Sequence, residues 1–297
     1  MSKRILVLGD GIIDAYVFGA VNRKSPEDPD VSVLDIERTE YRLGGAYNVA
    51  ANIKSLNREF DVSVSTAIMT DCAERMLKDR RIKRGLTPID FFDWQFFPNT
   101  EVELVKTRIF DQSGKQLLRL DNRKQFSDDI LNGYESYFKE EFVGFMFFDA
   151  VVVSDYDKGT VSGFILDLLH KCDKPLFIDT KKKDFSIWPN NENTLFKINF
   201  AEWSTAKNID SLKNLIVTRG KLHTLLYKNN FPVGRSEVEN SEKKVDVSGA
   251  GDVFLAGLVV KYLETDGDII ASINFANKIA SRSVMKFGIC EIQRKEL

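Results

Sequence analysis

Residues 246–257 read DVSGAGDVFLAG, in which small residues lead to one aspartate at the start of an apolar helical pattern. The successive backbone N–H groups from Ser248 to Gly251 would form a concave anion site at the positive end of that helix. Glycines let a phosphate approach the main chain, and Asp252 beside it can orient or deprotonate a hydroxyl. The motif therefore indicates phosphoryl transfer. A helix N-terminus with small residues for close packing is the alternative.

A second pair of polar residues, Asn199 and Glu202 in the sequence NFAE, directly follows the strand-like run TLFKI. An amide and a carboxylate three residues apart at a strand end can share a face and, through water, hold a hydrated Mg²⁺ against nucleotide phosphates. The same two residues suit a helix start, where Asn199 is the cap and Glu202 completes a capping box. The sequence leaves both interpretations open.

Polar side chains also converge near the N-terminus. Asp10 and Asp14 follow the first apolar run, and open α/β sheets bind their ligands at the ends of such strands. Asn48 and Asn52 are one helical turn apart, directly after a pair of glycines. We expect these groups to lie near the same edge of the sheet.

Three cations follow a strand pattern in a later segment. Lys106 and Arg108 in EVELVKTRIF are two residues apart, so they point to one face of a predicted strand. Arg119 in QLLRLD could lie on the paired strand of the same hairpin. Together they would form a site for a phosphate on the acceptor, distant from the reacting hydroxyl. The alternative is a strand edge kept charged against aggregation.

The elements that position these residues follow an alternating pattern. Short apolar runs, ILVL, VSVSTAI, AVVVS, PLFID and LIVTRG, are separated by helical patterns at 46–56, 128–142 and 161–172. This pattern predicts an α/β fold with a mostly parallel sheet flanked by helices. Segments 15–41 and 101–120 instead predict strands of a small, separate β-sheet. We expect one domain over residues 1–297, with these two segments inserted as a lid.

Composition excludes several classes of protein. The chain has 297 residues, 43% of them hydrophobic, and a formal charge of −2, which gives no broad attraction to nucleic acid or to an anionic membrane. The three cysteines form no CxxC pair, so neither a zinc cluster nor a disulfide framework is indicated. No apolar run is long enough for a signal peptide or a membrane span. We therefore expect a cytoplasmic protein with no nucleic-acid or membrane partner.

In type and order, these motifs resemble the ribokinase-like (PfkB) family of carbohydrate kinases, whose hallmarks are GAGD near the C-terminus, NxxE upstream and GG near the N-terminus. Within that family, VLGDGIIDAYVFG, SPEDPDVSV, LGGAYNVAANIKSL, QLLRLD and SDYDKG are similar to the D-glycero-D-manno-heptose-7-phosphate kinases. The resemblance spans most of the chain. It implies a Rossmann-like core, a β-sheet lid that often mediates dimers, and ATP with Mg²⁺ as the phosphoryl donor.

The resemblance also implies roles for individual residues. Asp252 would be the base, and the amides of Gly249, Ala250 and Gly251 the anion hole. Asp14, Gly44, Gly45 and Asn48 match sugar-binding positions, and Asn199 and Glu202 match the metal and phosphate motif. Positions on the nucleotide side are Thr218, Gly220, Ser248 and Asn277. Lys158 in SDYDKG and Lys181 in IDTK match lysines with a phosphate-binding or structural role.

The expected reaction is transfer of the γ-phosphoryl group of ATP to a sugar hydroxyl, here the anomeric hydroxyl of D-glycero-D-manno-heptose 7-phosphate. A kinase of another sugar or sugar phosphate is the first alternative, and a catalytically idle sugar-binding protein of the same fold is the second. Tyr47 stands where these kinases have a small residue, so it could fill part of the sugar pocket. Asp28 and Asp30 add negative charge to the lid. A homodimer through the lid is also expected.

Overall fold

The computed structural model describes residues 2–67, 104–121, 126–142, 144–239 and 245–297. Residues 101–103 of the predicted lid segment lie outside these ranges. Among the described helices, none is long and apolar enough to cross a lipid bilayer.

The larger of two sheets has eight strands, and six neighbouring ones run parallel. In spatial order these six are Asn214–Thr218 (β10), Thr194–Asn199 (β9), Leu176–Thr180 (β8), Ala150–Asp155 (β7), Arg4–Gly9 (β1) and Asp61–Ser65 (β4). An antiparallel hairpin of Thr224–Lys228 (β11) and Phe231–Ser236 (β12) extends the sheet beyond β10. The predicted parallel sheet is therefore confirmed, whereas the sequence pattern did not indicate the added hairpin.

Central strands are apolar on both faces because helices cover both sides of the sheet. Every residue of β7 is buried, with Val151 and Val153 in one hydrophobic core and Val152 in the other. The Val152 side is covered by Ala46–Leu56 (α1), Ala250–Glu264 (α5) and Ile269–Ser283 (α6), and the opposite side by Asp128–Glu141 (α2) and Gly163–Leu169 (α3).

Local capping explains where several helices begin and end. Helix α1 has the predicted bounds, whereas α3 is shorter than predicted at both ends. The Ser162 side chain caps its beginning by accepting from the Ile165 N–H. Asp268 caps α6 in the same way, through the N–H of Ala271. A one-turn helix, Phe200–Trp203 (α4), follows β9 directly.

The smaller sheet has four strands in the order β3-β2-β5-β6. They span Gly11–Lys24 (β2), Ser32–Gly45 (β3), Val105–Phe110 (β5) and Gln116–Asp121 (β6). We call this sheet the lid. One face carries the aromatic cluster of Tyr16, Phe18 and Phe110, packed against Phe287. The other face leaves large apolar side chains about half exposed: Tyr41, Leu118 and Leu120.

Helices α5 and α6 pack so closely at Gly257 that no side chain fits there. A Cβ at this position would overlap the Ile279 side chain and lie 3.2 Å from the Cα of Ala276. We therefore expect Gly257→Ala to lower the free energy of unfolding by about 1–3 kcal/mol, outweighing the roughly 1 kcal/mol that alanine gains in helix propensity. Urea denaturation measures this change.

Gly163 provides the matched control, because it begins helix α3 and a Cβ there meets nothing within 4 Å. Gly163→Ala should leave stability unchanged or slightly higher. Equal stability of the two variants would contradict the close-packing argument.

Candidate active site

Asp252 lies in the first turn of helix α5 and is buried. Its Oδ2 accepts a hydrogen bond from Asn48 Nδ2 at 2.9 Å, and its Oδ1 accepts one from Tyr156 Oη at 2.8 Å. Burial raises the pKa of Asp252 above that of an ordinary aspartate, and these two hydrogen bonds oppose the rise. Two donors from different parts of the fold thus fix the orientation of one buried carboxylate.

The turn before helix α5 depends on Gly249, which has a left-handed φ of 74°. A Cβ at Gly249 would lie 2.8 Å from Asn48 Nδ2, so a side chain would displace the amide that holds Asp252.

The predicted run of N–H groups is only partly free. The Ser248 N–H donates to Asp246 Oδ1 at 2.9 Å, and the Ala250 N–H donates to the Val247 carbonyl at 3.2 Å. No described residue accepts from the N–H of Gly249 or Gly251. The expectation of four free N–H groups is therefore corrected to alternate ones, because the tight turn uses Ser248 and Ala250 for its own hydrogen bonds.

On the lid side, Asp14 is buried and forms an ion pair with Arg108 of the neighbouring strand. Gly44 makes room for this carboxylate, since a Cβ there would overlap Asp14 Oδ2. Gly45 has a φ of 58°, and a side chain on it would overlap the carbonyl oxygen of Asp10. The glycine pair is therefore needed to pack the lid strand against the end of the core.

The three lid cations share a face but have different partners. Arg108 stands opposite Arg119 in the β5–β6 register, yet Arg119 is exposed and paired with Asp121 at 2.7 Å. Lys106 forms no ion pair with a described residue, and its Nζ lies 4.1 Å from the centroid of the Tyr156 ring. Burial lowers the pKa of Lys106. Of the three cations, Lys106 alone is not neutralised by a described carboxylate.

A cavity of about 460 Å³ opens beside Asp252, between the carboxyl ends of the strands and the start of helix α5. Its walls include all the predicted nucleotide positions except Ser248, namely Lys181, Asn199, Thr218, Gly220 and Asn277. Gly249, Ala250 and Gly251 of the predicted anion hole line it as well. Asn277 is fixed because it accepts from Thr224 Oγ1 at 2.8 Å and donates to Ser236 Oγ at 2.7 Å. Val247, Phe254 and Val284 supply an apolar wall.

NFAE forms the capping box that the sequence left as one of two interpretations. Asn199 Oδ1 accepts from the Glu202 N–H at 2.9 Å, and Glu202 Oε2 accepts from the Asn199 N–H at 2.8 Å. The other Glu202 oxygen accepts from Lys181 Nζ. The capping box does not exclude a metal role, because carboxylate and amide oxygens keep free lone pairs.

Comparison with known proteins identifies the family to which this chain is similar. Residues 173–295 match the pfkB family carbohydrate kinase profile. "Bifunctional protein HldE" of Histophilus somni is 32% identical over 97% of this chain, and that of Nitratiruptor sp. is 30% identical over 100%. The chain belongs to the pfkB family of carbohydrate kinases. It spans 66% and 64% of the lengths of these two relatives, slightly less than two thirds.

Solved structures of sugar kinases share the fold of this kinase. Phosphofructokinase-2 from Escherichia coli, in complex with potassium, superposes with a TM-score of 0.70 at 16% identity, covering 99% of this chain and 96% of its own. Arabidopsis thaliana ribokinase, complexed with ribose and ATP, gives 0.68 at 16% identity, with 99% and 97% covered. The predicted ribokinase-like fold is confirmed.

Three residues that line the cavity of this kinase were not singled out from its sequence: Tyr156, Asp179 and Lys197. Lys197 is buried and forms an ion pair with Asp179, and a Cβ on Gly251 would lie 3.0 Å from its Nζ. The signal for Lys197 was its spacing, because residues two apart on a strand share a face and Asn199 follows it by two. Asp179 precedes Lys181 by the same interval.

Two residues predicted to affect the sugar side have other contacts in the structure, and their roles toward the sugar stay predictions. The Tyr47 side chain is buried in the core against Gly11, where a Cβ would overlap its ring. Lys158 is not among the residues that line the cavity. It contributes its N–H, which donates to the buried Asp10 at 3.1 Å.

Proposed function

We propose that this carbohydrate kinase transfers the γ-phosphoryl group of ATP to a sugar hydroxyl, with Asp252 as the general base. The observation that carries the proposal is the buried Asp252 carboxylate, fixed by Asn48 and Tyr156 at the mouth of a cavity beside a helix N-terminus. A carboxylate with a raised pKa, held within reach of a bound hydroxyl, is suited to accept its proton.

In this reaction the acceptor hydroxyl gives its proton to Asp252 while its oxygen bonds to the γ-phosphorus. The bond from that phosphorus to the bridging oxygen breaks, and ADP leaves with the electron pair. In this proposal the free N–H groups of Gly249 and Gly251 and the ammonium group of Lys197, which line the cavity with Asp252, stabilise the negative charge that develops on the transferring group. The positive end of helix α5 adds to this stabilisation.

ATP fits the cavity beside the helix. Thr218, Gly220 and Asn277 line the part near β10 and helix α6, and Phe254 and Val284 offer apolar surface for a base. We assign Lys181 and Ser248 to the phosphates of the bound ATP. The Arabidopsis ribokinase that shares this fold was solved with ribose and ATP.

Mg²⁺ fits the oxygen groups at the same wall. Asn199 and Glu202 would hold it, and Asp179 Oδ1 is a buried oxygen without a hydrogen-bond partner among the described residues. Bound there, the ion would supply positive charge to offset the negative charge of the nucleotide phosphates. Lys181 and Lys197, which contact Glu202 and Asp179, would keep these carboxylates in place.

For the acceptor, we propose the anomeric hydroxyl of D-glycero-D-manno-heptose 7-phosphate. The proposal rests on the motifs that resemble heptose-7-phosphate kinases and on the lid residues that face Asp252. Asp14, Gly44, Gly45 and Asn48 would form the sugar site. Lys106 is the cation available for the distal phosphate, whereas Arg108 and Arg119 are already paired with carboxylates and would add to the field around it.

We also infer that two copies pair through the open face of the lid, where Tyr41, Leu118 and Leu120 are about half exposed. Burial of these exposed apolar side chains against a second copy would favour association. The mass of the protein in solution, measured by sedimentation equilibrium, tests this inference, and a monomer at micromolar concentration would contradict it.

Asp252→Asn tests the base directly. The substitution keeps the shape of the side chain, and the amide can still accept from Asn48 and donate to the Tyr156 hydroxyl oxygen. We therefore expect folding and ATP binding to remain close to normal. Loss of the base should lower kcat by about 10²–10⁴-fold. Release of ADP, measured with a panel of free and phosphorylated sugars, identifies the acceptor and measures the loss of kcat in the variant. Near-normal turnover in the variant would exclude Asp252 as the base, and unfolding would favour a purely structural cap.

Glu202→Gln tests the metal proposal while leaving the helix cap intact, because glutamine also completes a capping box. The variant should need several-fold more Mg²⁺ for half-maximal activity, with little change in the acceptor KM. Titration of activity with Mg²⁺ at saturating ATP measures the requirement. An unchanged Mg²⁺ requirement would assign Glu202 to the cap alone.

Lys106→Met tests the distal phosphate, because methionine keeps the length of the side chain and removes its charge. The KM for heptose 7-phosphate should rise about 10-fold or more, as expected for loss of one charge-assisted contact, while an unphosphorylated heptose should lose little. Arg119→Gln is the matched comparison, with a smaller effect expected since that cation is exposed and paired. Equal losses on both acceptors would contradict a 7-phosphate substrate.

A further inference from the structure

Tyr156 lines the cavity and also contacts Lys106 of the lid, without a role in the reaction described above. It follows strand β7 in the segment SDYDKG, and its hydroxyl donates to Asp252 Oδ1 at 2.8 Å. Its ring lies 4.1 Å from Lys106 Nζ on the lid side and 5.6 Å from Lys181 Nζ on the nucleotide side. One side chain therefore contacts the proposed base and both sets of cations.

We infer that Tyr156 is a positioning residue, whose hydroxyl fixes the plane and charge of the Asp252 carboxylate and whose ring holds the Lys106 amine over the acceptor site. The inference rests on the proposed function, in which Asp252 is the base. Tyr156 itself neither takes nor gives a proton in the reaction.

The two donors to Asp252 are both needed to fix the carboxylate. A single hydrogen bond from Asn48 to Oδ2 would leave the group free to turn about that contact. The second bond, from Tyr156 to Oδ1, comes from a different element and so determines the plane. Each oxygen still has a lone pair for the acceptor hydroxyl.

The backbone anchors Tyr156 as firmly as its hydroxyl does. Its N–H donates to the buried Asp10 Oδ2 at 2.7 Å, which prevents the segment from moving away from the cavity. Burial, next to Asp252 and Asp179, keeps the pKa of Tyr156 well above its ordinary value, so the hydroxyl remains a donor. A purely packing role would be served equally by phenylalanine.

Charged groups from every side of Asp252 act on its protonation. Asp179 on β8 raises its pKa and Lys197 on β9 lowers it, while Lys106 on the lid and Lys181 after β8 lie close enough to interact with it. Asn48 and Tyr156 are the hydrogen-bond donors, and both stabilise the charged carboxylate. Removing the Tyr156 hydroxyl must therefore raise the pKa of Asp252 and favour its inactive, protonated form.

Tyr156→Phe is the decisive variant. The acid limb of the kcat/KM profile should move to higher pH by about one to two units, the loss of one hydrogen bond to a charged group. The ¹³C carboxyl resonance of Asp252, assigned with Asp252→Asn, should shift its titration midpoint in the same direction. The acceptor KM should change little, because the ring still faces Lys106. Tyr156→Leu removes the ring as well and should raise that KM about five-fold.

Tyr134→Phe is the matched control, since Tyr134 is a buried tyrosine whose hydroxyl contacts Ser65 Oγ at 2.9 Å rather than the Asp252 carboxylate. Its pH profile should equal that of the wild type. Site-specific 3-fluorotyrosine at position 156 provides a test that preserves shape: a more acidic hydroxyl is a stronger donor, so the acid limb should move to lower pH.

An acid limb and a carboxyl titration that are unchanged in Tyr156→Phe would overturn the inference. So would a shift of equal size in Tyr134→Phe. Failure of the proposed function is distinguishable, because the wild type would then release no ADP with any acceptor, while the carboxyl titration would still report whether Tyr156 controls Asp252.

Discussion

The buried carboxylate of Asp10 is the constraint on which the site depends. It accepts three backbone N–H groups, from Tyr156 at 2.7 Å, Lys158 at 3.1 Å and Thr160 at 3.2 Å, and so shapes the segment after β7. The Asp10 backbone carbonyl also accepts from the N–H of Ala46, the first residue of helix α1. Burial, with Asp155 nearby, raises the pKa of Asp10 to about 6, and the hydrogen bonds from this segment oppose the rise. One residue thus places both elements that hold Asp252.

Most charged side chains around the cavity form ion pairs with a neighbour of opposite charge. Lys197 pairs with Asp179, Lys181 with Glu202, and Lys182 with Asp155 at 3.2 Å. Unpaired charges are costly to bury, so each carboxylate near the nucleotide side has a cation beside it. Asp252 differs from these, because its two contacts are neutral donors. A base held by neutral donors keeps its affinity for a proton better than one in a salt bridge.

Sequence patterns predicted the fold well because they report local physics. Helix α1 was placed at its observed bounds and the parallel strands at their observed positions, since burial on both faces leaves a continuous apolar run. The β11–β12 hairpin was missed because its strands mix polar and exposed apolar residues at the edge of the sheet.

The candidate site was predictable where a motif lies within one short segment, as in GAGD and NFAE. Tyr156 was missed because its partner, Asp252, is 96 residues away in the chain. The ion pair of Arg108 with Asp14 was missed for the same reason, since strand alternation gives the face of a side chain but not its partner. Sequence spacing identifies side chains that share a face of one helix or strand. Contacts between side chains of different elements are visible only in the folded structure.

The glycines of the site restrict how this kinase can evolve. The missing side chain of Gly44 makes room for the Asp14 carboxylate, and that of Gly249 makes room for the Asn48 amide. Gly251 lies against the amine of Lys197. Each glycine is therefore coupled to a functional side chain on another segment, because a larger residue at the glycine would displace that side chain. New acceptor specificities should consequently arise through concerted replacement of such pairs, or at lid positions without a glycine partner, where single mutations remain neutral long enough to be explored.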